Sequence, residues 1–101
     1  MPWLYCMSYP GDRDHLKVGY TQRTPRARAA EIGGTMAPKT PVVEVAWECD
    51  DARRLESLVH RRLQSVRVNG EWFNETVAGI EDAVERVAEV HSIRIRRHPA
   101  N

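Results

Sequence analysis

Hydrophobic positions recur every three or four residues between positions 52 and 66, the spacing of one buried face of an α-helix. At about 100° per residue, Glu56 falls about 20° from Leu63, at the edge of that face, and His60 lies one turn further on. An unpaired buried carboxylate is costly. The position of Glu56 therefore indicates either a Glu–His pair at the rim of the core or a half-buried cleft that holds a metal or moves protons. The residues on the apolar face are Ala52, Leu55, Val59, Leu63 and Val66.

Three apolar stretches have the length and composition of β-strands. The first two, residues 3–9 and 16–20, are separated by a polar turn that begins with Pro-Gly, and they predict an antiparallel hairpin. The third, residues 42–49, alternates between apolar and polar positions. The apolar residues expected to share one face of this strand are Val43, Val45 and Trp47.

Two further helices are indicated by their terminal residues. Thr24 followed by Pro25 predicts a helix start, and Gly33-Gly34 predicts its end. Residues 35–41 then predict a loop, since they contain two prolines. The N-cap alternatives are Asp50 or Asp51 for the central helix, and Thr76 or Asn74 for a last helix.

The order of these elements predicts one domain over residues 1–91. It is an α/β protein of the α+β type, with a small three-stranded antiparallel sheet flanked by helices. A short extended piece at residues 71–73 precedes the last helix. Residues 92–101 predict a basic C-terminal tail that frays.

Composition limits the function classes only broadly. The chain has 101 residues, of which 42% are hydrophobic and 29% charged, as is usual for a globular domain. No apolar run is long enough to cross a membrane, and the N-terminus lacks the pattern of a signal peptide, so we expect a cytoplasmic protein without membrane partners. Cys6 and Cys49 are far apart, which favours buried thiols over a zinc site.

The net charge of +1 says little about partners, but arginines gather in and just after the central helix. Such a group either forms a solvated face or contacts the phosphates of a nucleic acid without reading its sequence. The candidates for these contacts are Arg53, Arg61 and Arg62.

Several short motifs, in order along residues 3–74, resemble the GIY-YIG nuclease superfamily in its short phage and bacterial branch. The matching residues are Leu4-Tyr5, Lys17-Val18-Gly19, Arg28, Glu56, His60 and Glu71-Trp72-Phe73. Two positions depart from the family pattern. Trp3 replaces the glycine of the first motif, and Lys17 replaces the tyrosine of the second, a position where this branch often carries lysine.

The resemblance implies a metal-dependent endonuclease that hydrolyses phosphodiester bonds in DNA with Mg²⁺ or Mn²⁺. The implied metal ligand is Glu56, because one carboxylate with several waters suits Mg²⁺. Tyr5 would orient or deprotonate the attacking water, provided that a neighbouring cation lowers its pKa. Lys17 would be that cation or would contact the phosphate, Arg28 would bind phosphate oxygens, and His60 would assist proton transfer.

Each of these residues also has an ordinary structural interpretation. Tyr5 fits a cross-strand aromatic, and Lys17 fits a solvated strand residue. Arg28 fits an ion pair with Glu31 or Glu56, and Glu56 itself fits a pair with Arg28 or Arg53. His60 fits an imidazole bonded to a backbone carbonyl.

Two rival functions follow from those interpretations. One is a catalytically inactive nucleic-acid-binding module of the same fold, and the other is a small protein-interaction domain. A domain of this size offers limited contact area, so an active enzyme would select its sequence weakly unless it forms a homodimer or has an accessory DNA-binding partner.

Overall fold

The computed structural model describes residues 1–34 and 39–99. Residues 35–38 of the predicted loop, and residues 100–101 of the predicted tail, lie outside this range. The strands are β1 (Trp3–Tyr9), β2 (Asp12–Thr21), β3 (Val42–Cys49), β4 (Arg67–Asn69), β5 (Trp72–Phe73) and β6 (Ile95–Pro99). The helices are α1 (Pro25–Gly33), α2 (Ala52–Arg62) and α3 (Val77–Val90).

The strands form one antiparallel sheet in the order β4-β5-β2-β1-β3-β6. The α+β class is thereby confirmed, and the expected three-stranded sheet is coarser than the observed one, because the described residues form six strands. β4 and β5 are too short to show an alternating pattern. The segment expected to fray instead contributes β6, which pairs with β3 through residue 99. Its arginines are typical of an exposed edge strand.

The two faces of the sheet bury different sets of residues. Helices α2 and α3 cover one face, where alternate residues of the central strands form the main apolar core with Leu55, Val59 and Ile80. Helix α1 covers the other face, where Tyr5 and Met7 pack with Ala29 in a much smaller cluster. The candidate site residues of β1 and β2 also have their side chains on this second face, because successive side chains of a strand alternate between the two faces.

A register shift in β3 changes which of its residues face the main core. Cys6 pairs with Val45, but the next residue, Met7, pairs with Val43, so Glu44 is an extra residue in β3. Val43 therefore packs in the α1 cluster while Val45 and Trp47 pack in the main core. The expectation that all three share one face is wrong, because strict alternation does not continue through a bulge.

The helix starts follow the capping residues. The Thr24 hydroxyl accepts from the Ala27 N–H, and the Asp51 and Thr76 side chains accept from N–H groups in α2 and α3, which decides both alternatives. The central helix ends earlier than its apolar spacing suggests. Residues 64–66 form a 3₁₀ turn, so Val66 is half-buried beyond α2 rather than on its face.

Both cysteines are free and buried, as expected. Burial raises the pKa of the Cys6 thiol to about 12 and that of Cys49 to about 11, so neither is a reactive thiolate at neutral pH. Among the described helices, none has the length and apolar character needed to cross a membrane.

Candidate active site

The site forms where the outer edge of β2 runs past the end of its neighbour β5. Pairing with β5 covers only Leu16 and Lys17. Beyond them, the Val18 N–H donates to the backbone oxygen of Glu71 at 2.9 Å. Two further backbone groups of this edge are bonded by side chains of α2 instead of by another strand.

Glu56 and His60 are those two side chains. The Tyr20 N–H donates to Glu56 Oε2 at 3.0 Å, and His60 Nε2 lies 2.7 Å from the Val18 carbonyl oxygen. A carbonyl can only accept, so His60 Nε2 carries the proton and donates. The expected backbone-carbonyl interpretation of His60 is therefore found, and this bond fixes α2 against β2 one turn from Glu56.

Glu56 is half-buried, and no ion pair with Arg28 or Arg53 is found among the described residues. Burial raises the pKa of Glu56, and the nearby negative charge of Glu71 raises it further, whereas His60, the Tyr20 N–H and Lys17 lower it. In the described structure only Oε2 of Glu56 is hydrogen-bonded, which leaves Oε1 for a ligand.

Tyr5 lies on the α1 face of the sheet, directly across from Gly19 in β2. A Cβ atom at position 19 would stand 2.6 Å from Tyr5 Cζ and 2.8 Å from Glu71 Oε1. Real Cβ contacts are never that short, so a glycine is needed here to let the phenol and the carboxylate approach the strand. The glycine of the second motif is therefore explained by packing.

Arg28 of α1 interacts with the Tyr5 phenol, and the contact lowers the pKa of Tyr5 and raises that of Arg28. Burial nevertheless dominates, so the pKa of Tyr5 is raised overall. The condition set for Tyr5 as a deprotonating base, a lowered pKa, is not met. Arg28 also approaches Glu31 at 3.8 Å, which is one of its two expected ion-pair partners.

Glu71 is the residue that sequence reasoning missed as a site member. Its Oε1 lies 2.8 Å from Lys17 Nζ, and its charge acts on Tyr5, Arg28 and Glu56. Lys17 is therefore not a freely solvated residue, since its side chain is only 15% exposed. The available signal was the Asn69-Gly70 turn, which returns the chain to β2 just before Glu71.

The family model of the T5orf172 domain matches residues 2–88, which is most of the chain. The chain belongs to the T5orf172 domain family. This is a phage-associated, nuclease-like family. No curated protein and no solved structure gives a significant match to the chain.

In this T5orf172 domain the sequence-predicted site residues come together. Of the arginines predicted to contact DNA, not all are directed toward them. Arg53, Arg61 and Arg62 are all exposed on α2. Measured around the helix from Glu56, Arg53 lies about 60° away on the His60 side, while Arg61 and Arg62 lie about 140° and 120° away. Only Arg53 is thus directed toward the same edge of the domain as the site.

The T5orf172 domain offers a metal one protein carboxylate rather than a closed ligand cage. No group of three or more His, Cys, Asp or Glu side chains with metal-binding geometry occurs in residues 1–34 and 39–99. Glu56, with one oxygen held by the Tyr20 N–H and the other not hydrogen-bonded there, fits a largely hydrated Mg²⁺ or Mn²⁺. It does not fit zinc, which takes three or four protein ligands.

A separate groove of about 660 Å³ lies on the same side of the T5orf172 domain, between α1 and the β3–β6 edge. Its lining includes Trp3, Arg26 and His98 but none of the site residues. His98 is bonded to Glu48 at 2.7 Å and contacts the Trp3 ring. The charged cluster, not this groove, is therefore the candidate site.

Proposed function

We propose that this T5orf172 domain is a metal-dependent endonuclease that hydrolyses phosphodiester bonds in DNA. The supporting observation is the Lys17–Glu71 ion pair at the edge of β2, whose carboxylate charge acts on Arg28 from one side and on the half-buried Glu56 from the other. Membership of a nuclease-like family supports the same reaction class. The ordered motifs favour the GIY-YIG type of nuclease, which is part of the proposal.

Charge on the phosphate is what the site must stabilise during cleavage. Arg28, whose side chain is 41% exposed, presents a planar guanidinium that can bind two phosphate oxygens at once. Lys17, which is paired with Glu71, adds a second positive charge to the site. Together they would hold the scissile phosphate and stabilise the additional negative charge of the transition state.

Glu56 would hold the metal through Oε1 while Oε2 stays bonded to the Tyr20 N–H. When bound, Mg²⁺ or Mn²⁺ supplies a Lewis acid that stabilises charge on the phosphoryl and leaving oxygens. His60 would act as a positioning residue, because its bond to the Val18 carbonyl fixes the helix that carries Glu56. Tyr5 would position Arg28 through the interaction between its buried phenol and the guanidinium.

One observation favours the second candidate, an inactive nucleic-acid-binding module. Tyr5 is only 1% exposed, so its phenol does not reach solvent where a substrate would bind. If the tyrosine must contact the substrate for cleavage, the domain would bind DNA through its arginines and leave it intact. Cleavage assays distinguish the two directly.

The deciding experiment is cleavage of single-stranded and double-stranded DNA with Mg²⁺, Mn²⁺ or EDTA. We expect metal-dependent cleavage that Glu56→Gln reduces by about 100-fold or more, with DNA binding retained. The amide oxygen of glutamine can still accept from the Tyr20 N–H, so the fold is preserved.

Glu85→Gln, an exposed glutamate on α3, is the matched control and should cleave like the wild type. DNA binding without cleavage in any metal would establish the binding module instead. If the protein neither binds nor cleaves DNA, both candidate functions are refuted.

A further inference from the structure

The residues around the site differ in how far solvent reaches them. Tyr5 is 1% exposed, whereas the Glu71 side chain is 37% exposed and the Arg28 side chain 41%. An attacking water must come from the solvent side, where the phosphate also binds. The geometry thus lets that water touch the Glu71 carboxylate but not the Tyr5 hydroxyl.

The protonation of the phenol leads to the same distinction. Burial raises the pKa of Tyr5 despite the neighbouring cations, so the phenol keeps its proton at neutral pH. A protonated phenol donates hydrogen bonds and does not remove protons from water. A base for the reaction must therefore come from another side chain.

Glu71 is held firmly enough to act as that base. Its backbone oxygen accepts from the Val18 N–H at 2.9 Å, and its Oε1 accepts from Lys17 Nζ at 2.8 Å. Gly19 leaves the space in which Oε1 lies next to the Tyr5 phenol. In the described residues Oε2 takes part in no hydrogen bond, which leaves it available to a water molecule.

We propose that Glu71 is the general base of this site, an inference that rests on the proposed nuclease function. The Glu71 carboxylate takes a proton from the attacking water, whose oxygen forms the new bond to phosphorus. The bond from phosphorus to the leaving oxygen breaks, and its electron pair goes to that oxygen, which takes a proton from solvent. While Glu71 carries the proton, Lys17 is released from it and binds the phosphate; Glu71 then returns its proton to solvent and pairs with Lys17 again.

His60 is the rival base, because in the neutral imidazole that donates from Nε2 to Val18 the other nitrogen, Nδ1, can accept a proton. The His60 ring packs against Phe73, with ring centroids 5.0 Å apart. Because Nδ1 of His60 can accept a proton, the role of His60 in proton transfer has to be tested together with that of Glu71.

The test begins with Glu71→Gln in single-turnover cleavage. The glutamine amide oxygen still accepts from Lys17, so this variant keeps the ion-dipole contact and removes only the basic carboxylate. We expect the cleavage rate to fall by about 100-fold or more while DNA affinity is retained. If the wild type cleaves DNA and Glu71→Gln cleaves it equally fast, the proposal for Glu71 is overturned and the nuclease function stands.

Chemical rescue separates a base from a residue that only positions Lys17. Formate, a small carboxylate, should restore cleavage to Glu71→Ala and should not change Glu75→Ala, the control four residues along the chain. Rescue of His60→Ala by imidazole, with no rescue of Glu71→Ala by formate, would assign the base to His60. A wild-type protein that does not cleave DNA would overturn both this proposal and the nuclease function.

Discussion

The same two strands, β1 and β2, supply both faces of the sheet, and the two faces are built on opposite principles. On the α2–α3 face, Leu4, Cys6 and Val18 are completely buried among other apolar side chains. On the α1 face, the neighbouring positions are Tyr5, Lys17 and Gly19, which meet charged groups from α1 and from the β4–β5 turn.

The difference shows how a small domain separates stability from chemistry. Because side chains alternate along a strand, each strand can give one face to the apolar core and the other to polar groups. The apolar face supplies most of the folding free energy. The other face can then hold partly desolvated charges that would weaken a core. Variants on the two faces should therefore have different effects.

The largest effect is expected from Leu55→Ala on the apolar face. Leu55 is 0% exposed, so truncation leaves a cavity and should lower the free energy of unfolding by about 3 kcal/mol. Denaturant unfolding measures this change. The neighbouring Glu56→Gln, at the rim of the same helix, is the contrast, and a similar loss in that variant would show that the polar rim supports the fold as much as the apolar core does.

Gly19→Ala probes the tightest contact on the polar face. The new methyl group would overlap the buried Tyr5 ring and Glu71 Oε1, and we expect a loss of about 1–3 kcal/mol together with loss of cleavage. Gly79→Ala on α3 is the control, since there the methyl group meets only the Glu75 side chain. Equal stability of the Gly19 and Gly79 variants would contradict the close approach described here for Tyr5.

The pH dependence of Glu56→Gln should reveal the cost of the half-buried acid. The raised pKa of Glu56 means that the folded state favours the protonated form of this carboxyl group. Its contribution to the free energy of unfolding is therefore lost as pH rises through the folded-state pKa. In EDTA, Glu56→Gln should therefore melt above the wild type at pH 7, and the gap should close as pH falls below 4.5. A gap that widens toward low pH would show that the pKa is lowered instead.

The smallest effect is expected for single arginines of α2. Arg53→Gln should weaken DNA binding a few-fold and reduce its salt dependence, because Arg53 lies on the Glu56 side of the helix. Arg61→Gln, directed away from the site, should change binding less. Titrations at two salt concentrations compare them, and a larger effect at Arg61 would place the DNA path on the other side of α2.

Local signals in the sequence were sufficient for the long elements. The apolar spacing of α2 and the capping residues Thr24 and Thr76 predicted elements that the structure contains. The two-residue β5 lies within the short extended piece expected at residues 71–73. The missed strands lack such signals: β4 has only three residues, and β6 reads as a charged tail because an edge strand buries little of itself.

The ordered motifs predicted which residues gather at the site, but their interactions depend on tertiary structure. The raised pKa of Tyr5 results from burial, which a strand pattern does not measure. Glu71 joins the site because a short hairpin returns beside β2 and because Gly19 leaves room for its carboxylate. Neither fact is encoded in a local spacing.

The bonds from Glu56 and His60 to β2 also bear on how the domain behaves in a crowded solution. A strand edge with free N–H and C=O groups is a template on which another polypeptide can add a strand. The carboxylate and the imidazole occupy those groups at Tyr20 and Val18. Replacing both Glu56 and His60 by alanine would therefore leave these backbone groups of the β2 edge unpaired. We expect the double variant to self-associate, independently of any effect on catalysis.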